Sequence, residues 1–151
     1  IIVPPALVSQ WKAEIGKAVG DALEVQYYNP KTLIFEQDGE EEADPDIVIT
    51  TYAALEAPKS SKILSSFVWG RIVLDEMQEI RSSTTKIAKN CDSLVCQRRW
   101  MLSGTPLFDG IDDLRGELNF LRLDPYSANL EDGFFDFSIT NHWAQHSIHG
   151  L

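Results

Sequence analysis

Two adjacent acids follow an apolar run near the middle of this chain. The segment RIVLDE (71–76) ends in Asp75 and Glu76, directly after residues typical of a buried strand. Because an unpaired buried carboxylate is costly, such a pair either faces solvent or holds a ligand. One carboxylate there can bind Mg²⁺ through water, and its neighbour can orient and deprotonate a water that attacks a phosphate. The alternative is a pair of solvated acids that cap the next helix.

A second candidate cluster is the segment SGTP, which follows the apolar run RWML. Ser103, Gly104 and Thr105 could hydrogen-bond to neighbouring carboxylates or to a water linked to phosphate. The same residue types also favour ordinary turns, so this cluster does not by itself define a site. A third polar cluster, from Pro4 to Trp11, follows the first apolar run of the chain.

The segments around these clusters alternate between apolar β-branched runs and helical apolar spacing. We predict strands at 1–3, 23–28, 46–52, 71–76 and 99–106. We predict helices at 6–19, 84–95 and 111–121. This alternation indicates a parallel α/β sheet, in which ligands bind at the carboxyl ends of the strands. All three polar clusters fall at such ends, which suggests one shared site.

Composition and charge restrict the class of protein. The 151 residues, of which 44% are hydrophobic and 24% charged, fit one globular domain without a membrane-spanning segment. The net charge of −10 argues against a surface that coats DNA generally. Seven acids lie between positions 36 and 46, which we predict to be a solvated loop. Cys91 and Cys96 are predicted to be reduced thiols, packed in the interior rather than bound to metal.

Four segments, taken in order, resemble the motifs of one known family. VPPALVSQWKAEI, DIVITTYAAL, RIVLDEMQEIR and RRWMLSGTPLFDGIDDLRGELNFL are similar to motifs Ia, Ib, II and III of the Swi/Snf-type helicase-like ATPases of superfamily two. The resemblance implies a RecA-like parallel sheet sandwiched by helices. It also implies a domain division, with a partial ATP-binding lobe over 1–123 and a helical extension over 124–151.

The resemblance implies ATP and Mg²⁺ as cofactors and gives roles to matching residues. Asp75 would coordinate Mg²⁺ through water, and Glu76 would be the catalytic base. Gln78 would link the nucleotide site to residues 103–105 of the third motif. The family usually has His at that position, and Gln cannot take a positive charge, so the link would rest on neutral hydrogen bonds.

In this family the first two matched motifs contact the backbone of the tracked DNA strand. The matching candidates for nucleic-acid contacts are Pro4, Ser9, Gln10, Trp11, Thr50, Thr51 and Tyr52. Trp11 also lies on one apolar stripe with Leu7 and Ile15, so core packing is the alternative for its ring. Hydroxyl and backbone N–H groups can bind phosphate without net positive charge, so the acidic total is compatible with a local DNA path.

By this resemblance, the parent protein would use ATP to move on duplex DNA or to remodel nucleosomes in the nucleus. Gln78, SGTP and LRLDPY (121–126) look most like the SHPRH-type group, which joins the ATPase to a RING ubiquitin ligase. Ubiquitin-transfer machinery is therefore an expected partner of the parent. Two alternatives stay open: a degenerate lobe that acts as a binding or scaffold module, and a superfamily-two helicase acting on RNA.

The phosphate loop of the family, G-x-x-x-x-G-K-[ST], has no match in this sequence. The Gly-Lys pair in the chain is Gly16-Lys17, which Ala18 follows within the first predicted helix. We therefore expect the phosphate loop and its strand before Ile1. We also expect that this chain alone neither binds ATP tightly nor hydrolyses it.

Three histidines near the end of the sequence could share one helix face. His142, His146 and His149 are spaced at i, i+4 and i+7. Three imidazoles so placed could ligate zinc, but no neighbouring acid or cysteine completes a ligand set. The alternative is a polar helix face.

Overall fold

A computed structural model shows a mixed sheet with helices packed on both faces. It describes residues 1–37, 44–76, 80, 85–104, 111, 114–126 and 134–143. The strands are β1 (Ile2–Val3), β2 (Val25–Asn29), β3 (Ile34–Gln37), β4 (Ile47–Thr51), β5 (Val68–Asp75) and β6 (Val95–Leu102). The helices are α1 (Val8–Val19), α2 (Tyr52–Glu56), α3 (Pro58–Leu64), α4 (Lys86–Ser93) and α5 (Leu114–Leu121).

The strand order in the described sheet is β3-β2-β4-β1-β5-β6. Every neighbouring pair from β2 to β6 is parallel, whereas β3 runs antiparallel to β2. The predicted parallel α/β sheet is therefore confirmed for five strands, and β3 is an antiparallel addition. The register pairs Val3 with Thr51 and Asp75 with Leu102, so the carboxyl ends of β4, β1, β5 and β6 form one edge.

Helix α1 follows from the apolar stripe seen in the sequence. A 3₁₀ turn that begins at Pro5 leads into it, consistent with the preference of proline for the first position of a helix. Trp11 and Ile15 lie one turn apart on its inner face, against the sheet. The helix ends at Gly20, whose φ of 55° is a conformation that glycine adopts without a steric penalty.

The alternation of side chains along the strands divides the interior into two clusters. The cluster that we call the main core contains Ile2, Tyr28, Val48, Tyr52, Ala54, Leu55, Leu64, Ile72, Leu74, Ile80, Ala88, Cys91, Leu94 and Phe120. The α1 core, on the opposite face, contains Val3, Ile15 and Ile49. Helices α2 to α5 contribute to the main core, and α1 covers the other face.

Arg99 of β6 connects two helices at the edge of the main core. Its side chain is 5% exposed and donates to the carbonyl oxygens of Asp92 at 3.0 Å and Leu94 at 2.7 Å, at the end of α4. Its guanidinium also lies 4.8 Å from the centre of the Phe120 ring on α5. A cation is favourable at the carboxyl end of a helix, so Arg99 stabilises the junction of α4, α5 and the sheet.

Several predicted boundaries differ from the observed ones, and three of them have a clear local reason. Tyr52 begins α2 instead of ending a strand, because the Thr51 hydroxyl caps this helix by accepting the Ala54 N–H at 3.3 Å. Glu36 lies in β3 instead of a loop. The preceding residue of this strand, Phe35, packs against Tyr28. Val95 begins β6 instead of ending the preceding helix, since the chain is already extended at Leu94.

The sequence analysis also missed two short helices, α2 and α3. Within the predicted acidic loop, residues 44–46 are exposed and lie in no helix or strand, as predicted, and residues 38–43 lie outside the described residues. Among the helices that the structure describes, none is both long and apolar enough to cross a membrane.

Candidate active site

The carboxyl-terminal edge of the sheet brings the polar clusters of the sequence together. Pro4 follows β1, Tyr52 follows β4, Glu76 follows β5 and Ser103 follows β6. Because these four strands are parallel neighbours, the residues after them lie side by side. Ser103 is half-buried and Gly104 is exposed at this edge. Gln78 and Thr105, which we predicted to join the same site, lie outside the described residues.

Asp75, the last residue of β5, is held from three directions. The indole N–H of Trp11 donates to its Oδ2 at 2.6 Å, and the backbone N–H of Glu76 donates to its Oδ1 at 3.0 Å. The Tyr52 hydroxyl donates to the Asp75 backbone oxygen at 2.7 Å. A hydrogen bond to a charged group contributes about 1.5–3 kcal/mol, so the two bonds from Trp11 and Glu76 restrain the orientation of the carboxylate, while Tyr52 holds the backbone.

Glu76 has an unusual backbone conformation. Its φ is 54°, in the left-handed region, and its side chain is half-buried. A residue with a side chain in a sparsely populated region costs about 1–3 kcal/mol, and such residues cluster at functional sites. The turn ends β5 directly at the predicted base, a feature that the residue types in LDEMQE did not indicate.

Trp11 has a contact that neither of its two predicted roles includes. The ring packs beside the α1 core, as the apolar stripe indicated. Its polar N–H, however, bonds to Asp75, which is 64 residues away in the sequence. A buried indole N–H usually finds a hydrogen-bond partner, so a tryptophan on an apolar stripe was itself a signal that an acceptor lies nearby.

The candidate nucleic-acid residues of the second motif are buried. Thr50, Thr51 and Tyr52 are 4%, 4% and 3% exposed. Their hydroxyls already contact the protein interior: Thr50 donates to the Tyr28 oxygen at 3.4 Å, Thr51 caps α2, and Tyr52 bonds to the Asp75 backbone. These three side chains support the sheet edge from inside.

The candidates of the first motif lie closer to solvent. Ser9 and Gln10 are exposed on the first turn of α1, and Pro4 is half-buried before it. Of the predicted nucleic-acid contacts, Ser9 and Gln10 therefore have the side chains most accessible to an external ligand.

The carboxylate of Asp75 suits a magnesium ion bound through water. An ionised carboxylate has about four acceptor positions, so the two described N–H bonds leave room for water molecules. Mg²⁺ loses its waters reluctantly and is often held by one or two carboxylates. In the described part of the chain, no three His, Cys, Asp or Glu residues are grouped to bind a metal directly. A single carboxylate acting through water is the arrangement that this donor set fits.

The sequence offered two other groups of candidate ligands, the histidines near its end and the two cysteines. His142 lies with its Nδ1 3.1 Å from the Phe137 oxygen, while His146 and His149 lie outside the described residues. Cys91 and Cys96 form no disulfide; Cys91 is buried, as predicted, whereas Cys96 is half-buried. Burial raises the pKa of the Cys91 thiol to about 12, so this residue is an uncharged part of the main core.

Comparison with known proteins gives consistent matches. The family model described as SNF2-related domain matches residues 1–145. The chain is 34% identical over 137 residues to the DNA repair protein RAD5A of Arabidopsis thaliana, a match that covers 85% of the chain and 13% of RAD5A. It is 33% identical over 132 residues to the helicase-like transcription factor of Mus musculus, covering 83% of the chain and 13% of that protein. The chain thus spans about an eighth of the length of these relatives.

A solved structure shares both sequence and fold with the chain. The Sulfolobus solfataricus SWI2/SNF2 ATPase core in complex with dsDNA matches with a TM-score of 0.67 and 32% identity. The match covers 83% of the chain and 26% of that protein. The sheet described above is therefore similar to one part of that ATPase core.

Proposed function

Because this chain belongs to the SNF2-related domain family, we propose that it forms part of the first RecA-like lobe of a DNA-dependent ATPase. The predicted Swi/Snf-type family and its RecA-like fold are confirmed. We propose in addition that the parent protein uses ATP hydrolysis to move on duplex DNA or nucleosomes in the nucleus. Because this chain resembles the SHPRH-type group, we also propose ubiquitin-transfer machinery as a partner of the parent protein. The domain boundary at Leu123 stays a prediction.

The observation that supports this proposal most directly is the arrangement of Asp75 and Glu76 at the carboxyl edge of parallel strands. Asp75 is the residue that would hold Mg²⁺ through water, and Glu76 is the residue that would orient and deprotonate the attacking water. When bound, Mg²⁺ neutralises the charge that develops on the transferred phosphate of ATP. Ser103, on the adjacent strand end, and the predicted Gln78 and Thr105 would complete the polar side of the site.

For the DNA path we propose contacts from Ser9 and Gln10, because both are exposed on α1. Burial of Thr50, Thr51 and Tyr52 favours a supporting role for those side chains. Contacts from neutral side chains position a phosphate backbone without a general basic surface, which agrees with the net charge of −10.

The test uses the longer ATPase of which we propose this chain is a part. We expect duplex DNA to stimulate its ATP hydrolysis. Replacing Glu76→Gln should lower kcat by about 10²–10⁴-fold, the usual contribution of a general base. Glu14→Gln is the matched control, because Glu14 is exposed and its described partner is Lys17 within the same helix. That variant should hydrolyse ATP at the unmodified rate.

Other outcomes would select the alternatives. Stimulation by RNA and not by duplex DNA would indicate an RNA helicase. Absence of stimulation by DNA, RNA and nucleosomes, together with a longer sequence that has no Gly-Lys-Thr or Gly-Lys-Ser before this chain, would indicate a scaffold module. For the 151-residue chain alone we expect no turnover, since its sequence has no phosphate loop. ATP hydrolysis by the chain that disappears in Glu76→Gln would overturn this last expectation.

A further inference from the structure

We propose that Trp11 is a positioning residue for Asp75, and that helix α1 thereby sets the orientation of the acid at the metal site. This inference rests on the proposed role of Asp75, but the contact that carries it is independent of that role. The Trp11 indole Nε1 lies 2.6 Å from Asp75 Oδ2 and donates to it. Trp11 would thus act through Asp75 and touch neither metal nor nucleotide.

The direction of the Asp75 side chain follows from the strand. Leu74, the preceding residue, is fully buried in the main core. Because successive side chains of a strand point to opposite faces, Asp75 points to the face that α1 covers. Among the helices that the structure describes, α1 is the one on this face, and Trp11 is its residue in contact with the carboxylate.

The position of the indole is itself fixed by packing. Trp11 packs against the α1 core, whose members Val3, Ile15 and Ile49 belong to β1, α1 and β4. Packing of this half-buried ring against a helix and two strands restrains the direction of its N–H. The carboxylate that accepts this N–H is then restrained against rotation about its Cα–Cβ bond.

The remaining restraints on Asp75 are local or act on the backbone. The Glu76 N–H bonds to Oδ1 from the adjacent peptide, and the Tyr52 hydroxyl bonds to the backbone oxygen. Among the described contacts, Trp11 provides the one side-chain donor to the carboxylate from another element. Its loss would leave the backbone in place, and the local Glu76 N–H would then be the remaining described restraint on the carboxylate.

The first experiment tests the contact itself in the ¹⁵N-labelled 151-residue chain. The chain has four tryptophans, whose indole N–H signals are separate NMR reporters. In Asp75→Ala, the signal of Trp11 should shift and exchange faster with solvent. The signal of Trp69, whose indole donates to the Leu64 oxygen at 2.9 Å, is the internal control and should not change. An unchanged Trp11 signal, or an equal change at Trp69, would overturn the inference.

The second experiment tests positioning, with Mn²⁺ alone as a paramagnetic probe. Mn²⁺ held at Asp75 should broaden the backbone N–H signal of Glu76. In Trp11→Phe the Mn²⁺ concentration that halves this signal should rise about tenfold, the effect usual for groups that orient a metal ligand. Trp69→Phe is the matched control and should leave it unchanged. Trp11→His keeps an N–H donor, so its half-broadening Mn²⁺ concentration should lie between those of Trp11→Phe and the unmodified chain.

The outcomes separate this inference from the proposed function. Equal broadening in Trp11→Phe and the unmodified chain would overturn positioning by Trp11 and leave the metal role of Asp75 intact. Absence of broadening at Glu76 in the unmodified chain would contradict the metal role, and the positioning role would fail with it. If Trp11→Phe loses its dispersed amide signals, Trp11→His carries the Mn²⁺ comparison and should still need more Mn²⁺ than the unmodified chain, while Asp75→Ala tests the contact alone.

Discussion

The two faces of the sheet are covered very unequally. Among the described residues, fourteen are buried in the main core beneath α2 to α5, and three are buried in the α1 core. The register places Trp100 beside Val73 and Leu102 beside Asp75, so these side chains of β6 share the α1 face. They are 50% and 39% exposed, whereas Leu74 on the other face is fully buried.

Within strand β5, residues on one face contribute to stability, and residues on the other face belong to the candidate site. Leu74 and Asp75 are neighbours in β5, yet alternation directs one into the main core and the other to the thinly covered face. A carboxylate on the thin face keeps access to water and ligands, while the opposite face provides most of the buried apolar area. We therefore expect substitutions on the two faces to differ in size and in what they disturb.

The largest loss of stability should come from the main core. Phe120→Ala should reduce the free energy of unfolding by about 3–5 kcal/mol, because Phe120 is 1% exposed and packs against the guanidinium of Arg99. Urea unfolding followed by circular dichroism would measure this change. The matched control is Phe137→Ala, at a position that is 69% exposed, which should change stability by less than about 0.5 kcal/mol. Equal losses in the two variants would contradict the assignment of the main core.

The main core should also protect its buried thiol. Because burial raises the pKa of Cys91 from 9.0 to about 12, its thiolate fraction at pH 8 is much lower than in the unfolded chain. Iodoacetamide should label Cys91 more than about a hundredfold more slowly in the native chain than in urea, as mass spectrometry of the peptides can measure. Rapid native labelling of Cys91 would show that this core opens readily.

The same pKa shift predicts a dependence of stability on pH. The folded pKa is above the unfolded value of 9.0, so above that pH the unfolded chain releases the proton first. The stabilising contribution is complete below about pH 9 and is lost as the pH rises towards about 12. Cys91→Ala should show a smaller alkaline loss of stability than the unmodified chain.

The smallest of these effects should come from the α1 face. Ile15→Ala removes apolar atoms from a position that is 9% exposed, at the rim of a small cluster. We expect a loss of about 2 kcal/mol, the lower end of the range for such substitutions, since α1 can relax into the space and alanine favours helices. Urea unfolding again provides the measurement. A loss as large as that of Phe120→Ala would mean that the two faces contribute equally.

The sequence was most informative where one pattern determined one element. Trp11, Ile15 and Val19 repeat at helical spacing, so α1 was predicted close to its observed bounds. Short β-branched runs predicted β1, β4 and most of β5. The gathering of polar clusters at one edge followed from these elements, because parallel strands end on the same side.

The sequence was less informative where contacts between distant residues decide the structure. Strand β3 carries an acid and adjoins an acidic run, and it is stabilised by pairing with β2 and by the contact of Phe35 with Tyr28. The left-handed φ of Glu76 leaves no mark in the residue types of LDEMQE. The bond from Trp11 to Asp75 joins elements 64 residues apart, so only the polar N–H of an otherwise apolar stripe hinted at it.

The contact between Trp11 and Asp75 has a thermodynamic consequence as well as a geometric one. Helix α1 presents Ser9 and Gln10 to solvent and Trp11 to Asp75, so one rigid element joins the proposed DNA side to the proposed metal side. Coupling between two binding sites is reciprocal. If a ligand bound at Ser9 and Gln10 raises the affinity of Asp75 for the metal by some factor, the metal must raise the affinity for that ligand by the same factor. The hydrogen bond from the Trp11 indole to Asp75 would then be the contact that couples the two affinities.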